Sequence, residues 1–219
     1  MKINFEIEDH LFEQYFTTTL VNEEVLTLSE KTITEKYSDK RLAHFCTGRY
    51  CAKQALSNLT ASTFDILMGP DGEPKWPEGY VGSISHGDEL IGALAAKKEN
   101  VISLGLDIEK IGRVKPEMWH LLFTEKEKVF LNSLNNEDQP FYTTLYFSMK
   151  ESFYKLQHEL TKHRLWFHDV EILYANNEFK MEVLKEFEGK DKLPNLTSLY
   201  YQKYDNHVVS LCYLKQNTK

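Results

Sequence analysis

Residues 101–109, Val-Ile-Ser-Leu-Gly-Leu-Asp-Ile-Glu, alternate apolar and polar side chains almost without a break. Ile102, Leu104, Leu106 and Ile108 fall on one face of an extended chain, and Ser103, Gly105, Asp107 and Glu109 on the other. A helix would scatter both sets around its circumference, so the segment is predicted to be a strand. A chain with such a strand must cover the apolar face with a second layer. The polar face then presents two carboxylates about 7 Å apart between Cα atoms, since each strand residue rises ~3.3 Å. Two carboxylates on one face can hold a hard divalent cation through oxygen, leaving positions open for phosphate and water. Gly105 is expected to permit the close approach of a ligand. The bland alternative is a solvated strand face.

The remaining pattern mixes helices with short strands. Ser38 or Asp39 can cap a helix running to about Leu59, with Leu42, Phe45, Ala52 and Leu56 at helical spacing. A loop from Gly69 to Pro77 holds three of the six prolines, which bars any helical pattern there. Val81–Ser85 and Leu90–Ala96 read as strands flanking Ser85-His86-Gly87-Asp88. Thr124 and Glu127 form a capping box, and a longer helix is expected over about Phe141–Glu159. Two hairpins complete the chain, one turning at Asn176-Asn177 and one at Asp205-Asn206-His207. These elements predict an α+β protein.

Two further clusters bear on chemistry. Glu151 and Lys155 stand four apart on the long helix, opposite the stripe of Leu145, Met149, Phe153 and Leu156. The pair is either a surface ion pair or part of a site, and the flanking Phe147 and Tyr154 suggest that its face is covered. Arg49 interrupts an apolar stripe seven residues from both Leu42 and Leu56, with Lys53 one turn later. It either pairs internally or reaches for an anion, with Lys75, Ser85 and His86 available from nearby loops. A carboxylate cluster, an acid/base pair and several cations are the parts that phosphoryl transfer requires.

Composition narrows the class. With 26 Lys+Arg against 33 Asp+Glu the net charge is −7, which disfavours nonspecific nucleic-acid binding. Yet Lys40 to Phe64 contains four basic residues and no acid. No apolar run approaches the ~20 residues of a membrane span, and Met1–Asp9 lacks the apolar core of a signal peptide, so no membrane association is expected. Cys46, Cys51 and Cys212 form no CxxC pair; they read as buried small hydrophobes in a reducing, cytoplasmic compartment.

In this order the clusters resemble the 4′-phosphopantetheinyl transferase superfamily, in its two-lobed surfactin- and enterobactin-synthetase type. The matching segments are GRYCAKQAL (48–56), GEPKWP (72–77), GSISH (82–86), LGLDIEKI (104–111), FTEKE (123–127) and FSMKESFYKL (147–156). PKWP and FSMKES look most like the enterobactin branch. The resemblance implies a pseudodimer of two similar α/β lobes, residues 1–102 and 103–219, each with a small antiparallel sheet packed on helices. Coenzyme A would lie in the cleft between them, and a monomer is expected because one chain supplies both lobes.

The resemblance also implies roles. Asp107, Glu109 and Glu151 match the positions that bind Mg²⁺, with Mn²⁺ as an alternative. Glu151 and Lys155 match the catalytic positions, Lys155 also contacting phosphate. Arg41, Arg49, Lys53, Lys75, Ser85, His86 and Lys150 match or neighbour coenzyme A contacts, His86 at the 3′-phosphate. The implied reaction moves 4′-phosphopantetheine from coenzyme A to a serine of an acyl or peptidyl carrier protein, releasing adenosine 3′,5′-bisphosphate. Siderophore or other nonribosomal-peptide carriers are the expected acceptors. Two departures stand out: Glu73 where many relatives have a basic residue before the loop proline, and Phe147 where some have tryptophan.

Overall fold

A computed structural model describes residues 1–5, 7 and 11–216 of the chain. By contact density it divides into two compact units. One is Met1–Ile102 joined by Lys215 and Gln216, and the other is Ser103–Leu214. Gln216 ties the end of the chain to the first unit by donating its backbone N–H to Asn100 O at 2.8 Å.

The first unit opens with strand β1 (Glu13–Thr17), whose mixed burial gave no alternation to read. Thr27 and Glu30 form the capping box that starts helix α1 (Leu28–Thr34). Ser38 accepts from Arg41 N and starts the long helix α2 (Asp39–Ser57). A two-residue ribbon, β2 (Leu67–Met68) with β3 (Pro74–Lys75), lies partly within the segment expected to be loop. Next come strands β4 (Tyr80–His86) and β5 (Ile91–Lys97). The first is one residue longer at each end than the sequence pattern suggests, and the second is shifted by one. The sheet order is β1-β5-β4 with antiparallel pairing, so β5 is central and buried on both faces.

Cys51, Ala52, Ala55 and Leu56 of α2 pack on Ile91, Ala93 and Ala95 of β5, with Ile66 beside them. Small side chains on both elements bring helix and sheet close. A Cβ on Gly48 would already stand 2.9 Å from Ile84 Cγ2. All three cysteines are free and buried, in keeping with small hydrophobes.

The second unit begins in strand β6 (Val101–Lys110), the alternating segment. Helix α3 (Trp119–Leu122) is short, helix α4 (Glu125–Ser133) starts at the Thr124–Glu127 capping box, and helix α5 spans Gln139–Thr161. Strands β7 (Val170–Ala175) and β8 (Glu178–Val183) form the first expected hairpin. Its turn residues Asn176 and Asn177 have φ of 54° and 62°, the left-handed pair that a tight two-residue turn needs and asparagine tolerates. Strands β9 (Leu196–Tyr204) and β10 (His207–Lys215) form the second hairpin. The five-stranded sheet runs β6-β10-β9-β8-β7.

Leu145, Met149, Phe153 and Leu156 of α5 join Ile172, Met181, Leu199 and Val208 of the sheet in one core. Each fully buried side chain of this size contributes roughly 1.5–3 kcal/mol relative to exposure. Both units pair a sheet with one long helix, in three and five strands respectively, which makes the protein α+β. Among the described residues no helix is long and apolar enough to cross a membrane.

Candidate active site

The second unit's chemistry begins with the polar face of β6. That face is not solvated: Ser103, Asp107 and Glu109 are 1%, 4% and 8% exposed. Helix α5 covers it. A Cβ on Gly105 would stand 1.8 Å from Ser152 O, and Ser103 Oγ donates to Leu156 O at 2.9 Å. Gly105 therefore admits the backbone of α5, not a ligand, which corrects the expectation placed on it.

The consequence is a convergence of four predicted residues. With α5 seated on β6, Lys155 Nζ donates to Asp107 Oδ1 at 2.9 Å and to Leu106 O at 2.8 Å. Lys155 thus pairs across to the strand. Glu109 Oε2 lies 3.1 Å from Nε of Arg113, a residue that no motif marks. Burial first, then the charge of Asp107, pushes the Glu109 carboxyl up to about 7. The same two causes raise Glu151, whose charge in turn raises Glu109, while Lys155 and Arg113 pull both back down.

A buried place where the charge of Asp107 raises both Glu109 and Glu151, and that of Glu151 raises Glu109 further, is the environment that a hard cation relieves, and the all-oxygen chemistry of the three side chains suits Mg²⁺. In the present arrangement Asp107 is paired with Lys155 and Glu109 with Arg113. Among the described residues no group of three or more His, Cys, Asp or Glu side chains is placed to hold a metal ion. Beside Glu151 an apolar cavity of ≈ 230 Å³ is lined by Phe153, Tyr154, Trp166 and Phe167 among others.

Lys150 does not join this cluster. It is 2% exposed, and its ammonium donates to Glu127 Oε2 at 2.6 Å and to the carbonyls of Leu122, Phe167 and Val170. The expected coenzyme A contact is therefore corrected to an internal anchor that ties α4 and the approach to β7 onto α5. Glu127, beyond its capping role, accepts from Ile172 N at 2.8 Å. Phe147, in the place of the tryptophan, stands 5.7 Å ring to ring from Phe167, a packing contact.

The first unit gathers three of the other predicted residues at one cavity of ≈ 580 Å³. Arg41, Arg49 and His86 line it, together with Lys40, His44 and Tyr37. Arg49 is 6% exposed and donates through Nε to Ile66 O at 2.6 Å, with its guanidinium 4.3 Å over the Phe45 ring. Burial lowers its pKa to about 10. Arg49 thus holds the segment leading into the ribbon as well as lining the cavity. Ser85 is buried and His86 exposed, as neighbours on a strand must face opposite ways.

Lys53 faces elsewhere. Its Nζ pairs with Glu30 Oε2 at 2.6 Å and donates to Val25 O, so its expected ligand contact is also corrected. Glu30, fully buried, accepts from Thr27 N and Ile66 N as well; the Thr27–Glu30 capping pattern was a local signal for the first contact, whereas Lys53 and Ile66 had none. Lys75 is exposed on β3. Glu73 folds back on its own loop, its carboxylate accepting from Asp71 N at 3.0 Å. A Cβ on Gly69 would meet that carboxylate at 2.3 Å, so the substitution before Pro74 has a structural partner in Gly69.

Residues 29–96 match the 4′-phosphopantetheinyl transferase N-terminal domain family, and residues 103–212 match the 4′-phosphopantetheinyl transferase superfamily. The second match alone covers half of the chain. This chain belongs to the 4′-phosphopantetheinyl transferase superfamily. Among similar members, 4′-phosphopantetheinyl transferase Svp of Streptomyces mobaraensis is 34% identical over 61% of this chain and 54% of its own length. The 4′-phosphopantetheinyl transferase PptT of Mycobacterium tuberculosis is 32% identical over 63% of this chain and 60% of its own. Enterobactin synthase component D of Salmonella typhimurium is 34% identical over 53% and 48%. The chain thus spans about half to three-fifths of the length of these superfamily members. A crystal structure of Thermotoga maritima holo-[acyl-carrier-protein] synthase (AcpS) aligns at a TM-score of 0.44 and 24% identity, covering 53% of this chain and 65% of that one.

Proposed function

We propose that this chain transfers the 4′-phosphopantetheine group of coenzyme A to a serine hydroxyl of an acyl or peptidyl carrier protein. The observation that carries the reading is the convergence of Asp107, Glu109, Glu151 and Lys155 produced by α5 seating on β6. Family membership supports it, as do the names of the similar superfamily members. The enterobactin synthase relative favours a siderophore-type carrier as acceptor.

In this reading Glu151, its carboxyl raised by burial and by Asp107, takes the proton from the carrier serine. The serine oxygen then forms a bond to the β-phosphorus of coenzyme A. The bond from that phosphorus to the bridging oxygen breaks, and adenosine 3′,5′-bisphosphate leaves. Lys155, already aimed at the carboxylate face through Asp107, stabilises charge that gathers on the phosphate oxygens. Asp107, Glu109 and Glu151 are the residues that would hold Mg²⁺, which when bound neutralises part of the pyrophosphate charge. The acid-free cavity with Arg41, Arg49 and His86 is assigned to the nucleotide end, and the apolar cavity beside Glu151 to the uncharged arm.

The test is incubation with Mg²⁺, coenzyme A and an apo carrier protein, followed by the mass of the carrier. A phosphopantetheine mass gain, lost in Asp107→Ala with the fold retained, is the expected result. Nucleotide release without carrier modification would point to a hydrolase, and no change at all to a binding protein. Either outcome, or near-normal turnover by Asp107→Ala, overturns the assignment.

A further inference from the structure

His44 carries no motif signal, yet the fold gives it a specific neighbour. Its ring stands 4.9 Å, centroid to centroid, from that of His86, with the planes tilted by 56°. Helix α2 presents His44 one turn after Arg41, and His86 ends β4, so two separate elements bring the imidazoles together at one cavity. From α2 the rings share that cavity with Lys40, Arg41 and Arg49, and from the segment before it with Tyr37. Arg41 itself lies 4.1 Å over the Tyr37 ring. Among the described residues none of those lining the cavity is acidic. The acid from the β4–β5 turn, Asp88, is 3.9 Å from Lys40.

Paired imidazoles in a cationic, acid-free cavity select a ligand that accepts hydrogen bonds in two directions and carries more than one negative charge. A phosphate monoester does both, whereas the pyrophosphate of coenzyme A has no monoester oxygen set to offer. Imidazole and the second ionisation of a monoester also titrate in the same range, near pH 6 to 7. We propose, resting on the assignment of this cavity to the nucleotide end, that His44 and His86 jointly grip the phosphate monoester of coenzyme A, and that gripping it takes up protons. Each neutral ring that engages the dianion takes one proton from water and donates an N–H to a phosphate oxygen. No covalent bond changes, and affinity for this phosphate rises as pH falls from about 8.5 toward 7, then levels off near pH 6, where the free monoester itself takes up a proton. His44 is then a residue that discriminates donors bearing the monoester from those lacking it.

Titration calorimetry on the intact protein tests this, with coenzyme A and dephospho-coenzyme A as probes. It is run at pH 6, 7 and 8.5 in two buffers of different ionisation enthalpy, which counts protons. At pH 7 and above the wild type should take up protons with coenzyme A, with little net uptake at pH 6, and none with dephospho-coenzyme A. His44→Phe keeps a ring against His86 but no donor or charge. It should weaken coenzyme A roughly 10-fold at pH 6, the equivalent of one charge-assisted hydrogen bond of about 1.4 kcal/mol. It should also lower the proton count and leave dephospho-coenzyme A unchanged. His44→Gln, which restores a donor without a titratable ring, should recover affinity at pH 8.5 but not the pH dependence. Thermal unfolding of both variants at the wild-type temperature would show that the cavity is intact. Unaltered proton uptake and donor preference in His44→Phe would overturn the role of His44 alone. A wild type that binds both probes equally, or neither, would overturn the placement of the nucleotide end and this proposal with it.

Discussion

Gly105→Ala is the substitution that most directly tests how the site is built. The added Cβ would stand 1.8 Å from Ser152 O, 2.8 Å from Ser152 C and 3.0 Å from Leu156 N, all backbone atoms of α5. Backbone of a buried helix cannot swing aside as a side chain tip can. Strand and helix must therefore separate by about 1.2 Å before the closest contact reaches the ~3.0 Å that real Cβ atoms observe. Overpacking of this kind costs about 1–3 kcal/mol, and the backbone identity of the clash places it near the upper figure. For a chain of this length that corresponds to a fall in melting temperature of about 6–12 °C. The separation also draws Lys155 Nζ from Asp107 Oδ1, now 2.9 Å away, and a misplacement of about 1 Å can lower a rate ~100-fold. Calorimetric melting measures the first effect and the mass shift of the carrier protein the second. A Gly105→Ala protein that melts within about 1–2 °C of wild type and turns over at half its rate or better would show that this contact does not assemble the site.

Other expectations concern charge. Lys150→Met leaves Glu127 and three carbonyls without their buried donor, and loss of one partner from a buried pair costs about 3–5 kcal/mol. The urea midpoint should fall accordingly, and a change below about 1 kcal/mol would contradict the anchoring role. Glu109 binds its proton more tightly folded than unfolded, so its contribution to stability is present below about pH 4.5 and is lost as the pH rises through about 7. In EDTA, Glu109→Gln should flatten that decline, a difference on the order of 3 kcal/mol at pH 8. Denaturation curves that keep the wild-type slope across this window would show that Glu109 is not the group responsible.

Much of the fold was legible because its signals are local. The alternation in 101–109, the Ser38 cap, the Thr124–Glu127 box and the Asn176-Asn177 turn each fix a backbone conformation within a few residues. Strand β1 was not read from the sequence because it takes its place by pairing with β5; helix α1 did carry the Thr27–Glu30 capping pattern, but its seven residues hold too few apolar positions to show a helical period. The carboxylates and Lys155 were legible as a group of interest by type and spacing. Their partners were not: the sequence suggested Glu151 beside Lys155, and packing set Lys155 on Asp107 and Arg113 on Glu109.

By itself, the sequence determined which residues could do chemistry and which elements carry them, since residue type, periodicity and capping act over short distances. Only the tertiary structure decided which of those residues meet. Lys150 and Lys155 lie five positions apart on one helix, yet one is sealed against Glu127 and the other faces Asp107. Lys53 and Arg49 differ by a single turn, yet one turns to Glu30 and the other to the cavity with His44 and His86. The direction in which a helix turn faces is set by what packs on it. Here that was decided by close approaches, Gly105 against Ser152 above all, whose partners lie far apart along the chain.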